Sequence, residues 1–237
     1  MTKRPVALIF ALALEAQALV RHLTASAVES PQLAICEGLL EGKPVVLVIT
    51  GVGKVASALA TQFICDSFHP LSIITAGIAG ATDSDAPPGR LIIASGALQR
   101  DMDARPFTAA RGTIPSLGIV TLPADPALTD KLRQATERVV GNRHLVRSGV
   151  VLTGDQIVSS REVRDGILRD FPDGACFDME TAAIAQVARQ NDVPWAALRM
   201  TSDAADESFN LEEVVGFGVN TAADLIEQVV LALLKEL

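Results

Sequence analysis

Two short acidic blocks carry the residue types most able to do chemistry here: Asp178-Met179-Glu180, and Ser202-Asp203 behind Arg199 and the apolar run Pro194 to Leu198. Carboxylates beside apolar segments are costly unless they open into a cleft or find a partner. The chemistry that fits is one carboxylate gripping a polyhydroxyl ligand while another moves a proton. Each residue also has an ordinary reading. Ser202-Asp203 fits a helix N-cap or a turn. Glu180 fits a first-turn acid favoured by the helix dipole. Glu15 fits the surface of a first helix, and Arg199 fits an ion-pair partner for any of these acids.

The elements that must position these residues alternate between short apolar β-type runs and helical patterns. Strands are expected at Val6 to Ala11, Leu71 to Thr75, Leu91 to Gly96, Val146 to Leu152 and Trp195 to Met200. A hairpin is expected from Leu33 to Leu40 and Pro44 to Ile49, turning at Glu41-Gly42-Lys43. Helices are expected at Leu14 to Leu23, Lys54 to Phe68, Asp125 to Val140, Arg161 to Asp170 and Thr181 to Asn191, with a long closing helix from Leu211 to Leu237. Asp125 followed by Pro126 is a helix-start signal. The alternation predicts an α/β fold: a single domain over residues 1–237, with a central mixed, largely parallel twisted sheet flanked by helices. Continuous apolar strands such as Leu91-Ile92-Ile93-Ala94 fit burial on both faces. The irregular stretch Arg100 to Leu117 is long enough to be functional or to cover an interface.

Ligands of open α/β sheets bind at the carboxyl ends of strands. Four breaks are read at such ends: Thr50-Gly51-Val52-Gly53, Thr75 to Gly80, Thr153-Gly154-Asp155 and Thr201-Ser202-Asp203. Gly51-Val52-Gly53 lacks both the third glycine of a dinucleotide fingerprint and the Gly-Lys-Ser/Thr of a P-loop. It reads equally as a tight strand-to-helix turn. Gly77 and Gly80 either admit a ligand to the backbone or let two elements pack closely.

Composition narrows the partners. The chain has 237 residues, is 49% hydrophobic and carries a formal net charge of −8. No basic patch is evident, so nucleic acid and anionic membrane surfaces are excluded as expected partners, and a small ligand fits better. The three cysteines lack CxxC spacing and the three histidines lack HExxH, so neither a metal nor another cofactor is expected. The N-terminal residues show no signal-peptide pattern, and the run behind them is too short to span a membrane. A cytoplasmic protein is the expectation.

Taken together, the blocks resemble the nucleoside phosphorylase/nucleosidase superfamily, and within it the 5′-methylthioadenosine/S-adenosylhomocysteine nucleosidases. The resemblance covers nearly the whole chain. It rests on Ala11-Leu12-Ala13-Leu14-Glu15, Thr50 to Val55, Thr75 to Gly80 and Thr153-Gly154-Asp155-Gln156. Its most specific anchors are Phe177 to Ala185 and Arg199 to Asp206, in that order and spacing. It implies a nucleoside phosphorylase-like fold, a purine nucleoside substrate and a homodimer in which part of the Arg100 to Leu117 loop reaches the partner's site. It also implies roles. Asp203 would protonate the leaving purine at N7, and Ser202 would help orient it. Glu180 would accept hydrogen bonds from the ribose hydroxyls, with Met179 packed on the sugar. Glu15 would hold and polarise the attacking water, in a pocket shaped with Arg199. Gly77 and Ile78 belong to the second glycine segment, and the backbone at Ile157 and Val158 would meet the base.

Hydrolysis and phosphorolysis differ in what the site must hold, because a phosphate dianion needs cationic donors. Hexameric phosphorylases of the superfamily carry an arginine where this chain has Thr75, and a cationic segment where it has Phe10 to Glu15. Water is therefore the expected nucleophile. Three departures leave the 5′ substituent open: Ile78 replaces a serine, Ile157 replaces a base-stacking phenylalanine, and Arg100-Asp101 replaces a His-Asp pair. A phosphorylase, a nucleosidase for another 5′-substituted nucleoside (futalosine-type or adenosylhopane-type) and a non-catalytic nucleoside-binding protein are the alternatives.

Overall fold

The computed structural model describes residues 4–28, 33–83 and 88–237, so the first three residues of the chain lie outside the description. In chain order the elements are β1 (Val6–Phe10), α1 (Ala13–Val20), β2 (Thr24–Val28), β3 (Ala34–Leu40), β4 (Lys43–Ile49) and α2 (Lys54–Phe68). There follow β5 (Ser72–Ala81), β6 (Leu91–Gln99), β7 (Leu122–Pro123), α3 (Pro126–Val140), β8 (Val146–Thr153) and α4 (Arg161–Asp170). The chain closes with β9 (Gly174–Asp178), α5 (Thr181–Gln190), β10 (Trp195–Asp203), α6 (Leu211–Phe217) and α7 (Ala223–Leu234).

The fold is α/β, as expected, around one mixed ten-stranded sheet. Strand β5 is its hub. Residues 72–75 pair in parallel with β1, and residues 73–80 pair in parallel with β10. Its last two residues pair antiparallel with β9. Because β10 also pairs β6, β6 pairs β8 and β8 pairs β9, five strands close into a ring, with β1, β4, β3 and β2 extending from it. The apolar runs are continuous because both faces are covered. On β1, Ala7 and Ile9 face a core shared with Ala60 and Ile64 of α2 and Ile184 of α5. Leu8 and Phe10 face the opposite core, with Leu19 of α1, Leu132 of α3 and Ile226 of α7.

Helix α3 starts where its signals put it: the Asp125 carboxylate accepts the Leu128 N–H at 2.8 Å, Pro126 occupies the first helical position, and Gly141 ends the helix in the left-handed conformation. Elsewhere the boundaries moved. The first helix stops at Val20, and Thr24–Val28, which sequence periodicity did not reveal, pairs with β3. Strands β7 and β9 were also not foreseen, being two and five residues long. The glycines between Thr75 and Gly80 do not break the chain. Their backbone continues β5, satisfied along the β10 register through Asp203↔Gly80. Thr201 to Asp203 likewise belongs to β10, so only two of the four expected breaks are turns. The closing helix is not continuous either: Gly218–Ala222 form a π turn between α6 and α7. A Cβ on Gly218 would lie 2.8 Å from Leu14 Cδ1 and 3.8 Å from Ile78 Cδ1, so the glycine makes room for both. By length and composition Leu211–Leu234 would also pass for a membrane span. Its residues Ile226, Val229, Val230, Leu233 and Leu234 instead fill the second core.

Candidate active site

The two acidic blocks and Glu15 meet in one cleft of about 210 Å³. Of the sequence-derived candidates, Glu15, Ile78, Ile157, Val158, Met179, Glu180, Ser202 and Asp203 line it. Gly77 and Arg199 sit behind this lining. The topology explains the convergence. Residue 203 ends β10 beside Gly80 of β5, Asp178 ends β9, and Glu180 stands at the start of α5.

Glu15 is buried in the first turn of α1. Its Oε2 accepts the Leu12 N–H at 2.9 Å, reaching back across the helix start, and its Oε1 accepts the Ile78 N–H at 3.0 Å. Burial pushes its pKa up, opposed by the Arg199 guanidinium and by these backbone donors. Gly77 is needed for this geometry, since a Cβ there would lie 2.4 Å from Glu15 Oε1 and 3.1 Å from Arg199 Nη1. The glycine therefore admits the carboxylate rather than a turn.

Arg199 is buried and paired with Asp178, Nε to Oδ2 at 3.0 Å, and donates through Nη2 to the Thr75 hydroxyl at 3.3 Å. Asp178 also accepts from the Thr153 hydroxyl at 2.5 Å, the Thr181 N–H at 2.9 Å and the Thr181 hydroxyl. Asp178 is thus a structural anchor that fixes the start of α5. Thr153 and Thr181 belong to that anchor, and sequence reading gave them no part in it.

Glu180 is held by backbone donors: Gly53 N–H to Oε1 at 3.0 Å and Met179 N–H to Oε2 at 3.3 Å. The weak glycine signal at Gly51-Val52-Gly53 therefore has a specific use, with Gly53 at φ +101° turning its N–H toward the carboxylate. Burial, then the neighbouring Asp178, push the Glu180 pKa up to about 7, against the lowering effect of Arg199 and Gly53. Between the unfolded value of 4.5 and about 7, the folded state holds a proton that the unfolded state has released. Stability must fall as pH rises through that window and level off above it. Glu180→Gln removes the effect, so the variant should gain on the wild type by about 1–3 kcal/mol from pH 5 to 8, from the linkage of ~1.4 kcal/mol per pKa unit. Urea unfolding of both proteins across that range checks it, and a pH-independent difference would contradict it.

Asp203 is half-buried. Oδ1 accepts the Ser202 hydroxyl at 2.7 Å and Oδ2 accepts the Ala205 N–H at 3.0 Å. Ser202 Oγ also lies 3.3 Å from the Ala79 carbonyl oxygen. The expected N-cap alternative does not occur: Asp203 ends a strand and anchors a turn.

The segment after β8 forms another wall. Val158 is buried, whereas Ile157 is 52% exposed at the cleft mouth. Arg100, buried, donates through Nη2 to the Gln156 carbonyl and lies with Cζ 6.0 Å from the Phe177 ring centroid. Asp101 accepts the Asp155 N–H at 3.0 Å and pairs with Lys54 at 2.7 Å. The Arg100-Asp101 departure thus braces this segment. Phe209, Leu211 and Val214 complete the lining and were missed; nothing in their spacing marks them, since they arrive from α6 and the loop before it.

Such an arrangement can hold a sugar against Glu180, offer a proton donor at Asp203 and polarise a water against Glu15. The chain belongs to the phosphorylase superfamily, whose family model matches residues 5–235. It is an enzyme of the purine nucleosidase and phosphorylase kind. Among its relatives, the 5′-methylthioadenosine/S-adenosylhomocysteine nucleosidase of Staphylococcus haemolyticus is 31% identical over 196 residues, 81% of this chain and 84% of that protein. The nucleosidase of the same name from Neisseria meningitidis, solved in complex with methylthio-immucillin-A, superposes with a TM-score of 0.92 at 30% identity, covering 99% of this chain and all of that one. Helicobacter pylori futalosine hydrolase shares the fold, with a TM-score of 0.87 at 22% identity and coverage of 99% and 98%.

Proposed function

We propose that the protein hydrolyses the N-glycosidic bond of a 5′-substituted adenosine, methylthioadenosine or S-adenosylhomocysteine, and releases adenine. Breaking this bond builds positive charge on the ribose and negative charge on the purine. Glu180 binds the ribose hydroxyls, with Met179 against the sugar. Asp203, oriented by Ser202, protonates the purine at N7. Glu15 holds the attacking water and accepts its proton, and Arg199 fixes the buried carboxylates behind it. The backbone at Ile157 and Val158 meets the base. No cofactor enters this scheme.

One observation carries hydrolysis over phosphorolysis. Among the described residues, the cleft lining includes Glu15, Asp178, Glu180 and Asp203 but no Lys or Arg. A phosphate dianion would meet carboxylates instead of cationic donors. The apolar side chains of Leu12, Val52, Ile78, Phe209, Leu211 and Val214 support an apolar 5′ group such as methylthio. A cytoplasmic enzyme acting as a homodimer fits this reading. Val55, Leu59 and Phe63, spaced i, i+4, i+8 on α2, are exposed and offer an apolar row for a second copy.

Adenine release should proceed in phosphate-free buffer at a rate that added phosphate does not change. Release of the free base is followed on methylthioadenosine, S-adenosylhomocysteine and adenosine, which yield adenine, and on inosine and futalosine, which yield hypoxanthine. Strict phosphate dependence would overturn hydrolysis. Binding without turnover on every substrate would favour a nucleoside-binding protein.

A further inference from the structure

The Ala204-Ala205-Asp206 end of the last sequence block has no part in the chemistry above, yet it is tightly built. Ala205 is fully buried and adopts a left-handed backbone, φ +49°. For a residue with a Cβ that conformation is unfavourable, so surrounding contacts must enforce it. The turn has a visible consequence: it delivers the Ala205 N–H to Asp203 Oδ2 at 3.0 Å. Gly80 leaves the space, since a Cβ there would lie 3.2 Å from Ala205 Cβ and 3.4 Å from Asp203 Oδ2.

Helix α4 supplies the enforcing contacts. Arg164, only 6% exposed, donates through Nη1 to the Ala204 carbonyl at 3.2 Å, while its Nε pairs with Asp165 at 3.1 Å. Arg161 Nη2 lies 3.4 Å from Asp206 Oδ2, and the Arg161 N–H donates to Glu207 Oε1 at 3.0 Å. Asp206 in turn accepts the Ser208 N–H at 2.9 Å and the Ser208 hydroxyl at 2.6 Å. Ile167 of the same helix shares an apolar cluster with Ala205, Val158 and Phe177. One helix therefore backs both the turn behind Asp203 and the wall expected to meet the base.

We propose that Arg164 is a positioning residue for Asp203. By holding the Ala204 carbonyl it keeps the left-handed turn closed and the Ala205 N–H on Asp203 Oδ2, which fixes the plane in which the carboxyl group meets the purine. This role rests on Asp203 being the proton donor of the proposed reaction. A merely structural tie would lower stability and ligand binding together. A positioning role lowers the chemical step while leaving binding in place.

The test is Arg164→Met, which keeps most of the side-chain volume but no donor, beside Arg164→Lys. Both are assayed for kcat and KM of adenine release, and for the Kd of a 7-deaza analogue of the substrate, which has no N7 lone pair to protonate. Arg164→Met should lower kcat about 10-fold or more, as misplacement of a reacting group does, with the analogue Kd within about twofold of wild type. Arg164→Lys should recover part of the loss. An unchanged kcat, or a Kd weakened by the same factor as kcat, overturns the proposal. If Arg164→Met does not fold, Arg164→Lys decides alone: kcat must fall severalfold at constant analogue Kd. Failure of the underlying reading has a different signature, normal adenine release by Asp203→Asn in otherwise wild-type protein.

Discussion

Asp203→Asn should slow adenine release by about 10²–10⁴-fold, the range over which a positioned acid contributes, while thermal melting stays close to wild type. The geometry explains why the fold survives. An Asn can keep its oxygen on the Ala205 N–H and turn its amide toward Ser202, whose hydroxyl can accept as well as donate. What the substitution removes is the acid that the proposed mechanism assigns to this position. The adenine anion is a poor leaving group without it, so the effect should fall on kcat, with KM and the affinity for a 7-deaza analogue little changed. Steady-state kinetics with a spectrophotometric readout of adenine suffices. Release at a near wild-type rate would remove Asp203 from the mechanism.

Glu15→Gln has the second-largest expected effect, a fall in kcat again of about 10²–10⁴-fold, from loss of the general base. Both carboxylate oxygens already accept backbone N–H groups, from Leu12 and Ile78. Gln offers one oxygen, so one of those donors must face an amide NH₂. The variant therefore loses the water-polarising charge and also disturbs the start of α1, at a cost of about 1–3 kcal/mol for a buried unsatisfied donor. Melting temperature and kcat should both drop, which separates this variant from Asp203→Asn. An enzyme that keeps its kcat would show that Glu15 only caps the helix.

Much of the fold was legible because its signals are local. Asp125, Pro126 and Gly141 bound α3, and continuous apolar runs marked the strands buried on both faces. The elements that escaped reading are those whose existence depends on a partner. Thr24–Val28 is a strand because β3 lies beside it, and Gly174–Asp178 because β8 and β5 do. The glycine-rich stretch Gly77 to Gly80 looks like a turn in isolation. Paired with β10 it is strand, and its missing side chains make space for Glu15 and Ala205.

The candidate site divides the same way. Sequence alone determined the candidate groups: Asp178 to Glu180, the Arg199 to Asp206 block and the early Glu15 carry the resemblance to the family and name the carboxylates to look for. Tertiary structure decided how those carboxylates differ. Arg199 is committed to Asp178, burial raises the pKa of Glu180 and Glu15, and α4 braces the turn behind Asp203. The physical reason is that a residue's type is fixed locally, whereas its solvation, its nearest charge and its hydrogen-bond donors come from elements far away along the chain, as Gly53 and Glu180 demonstrate across 127 positions.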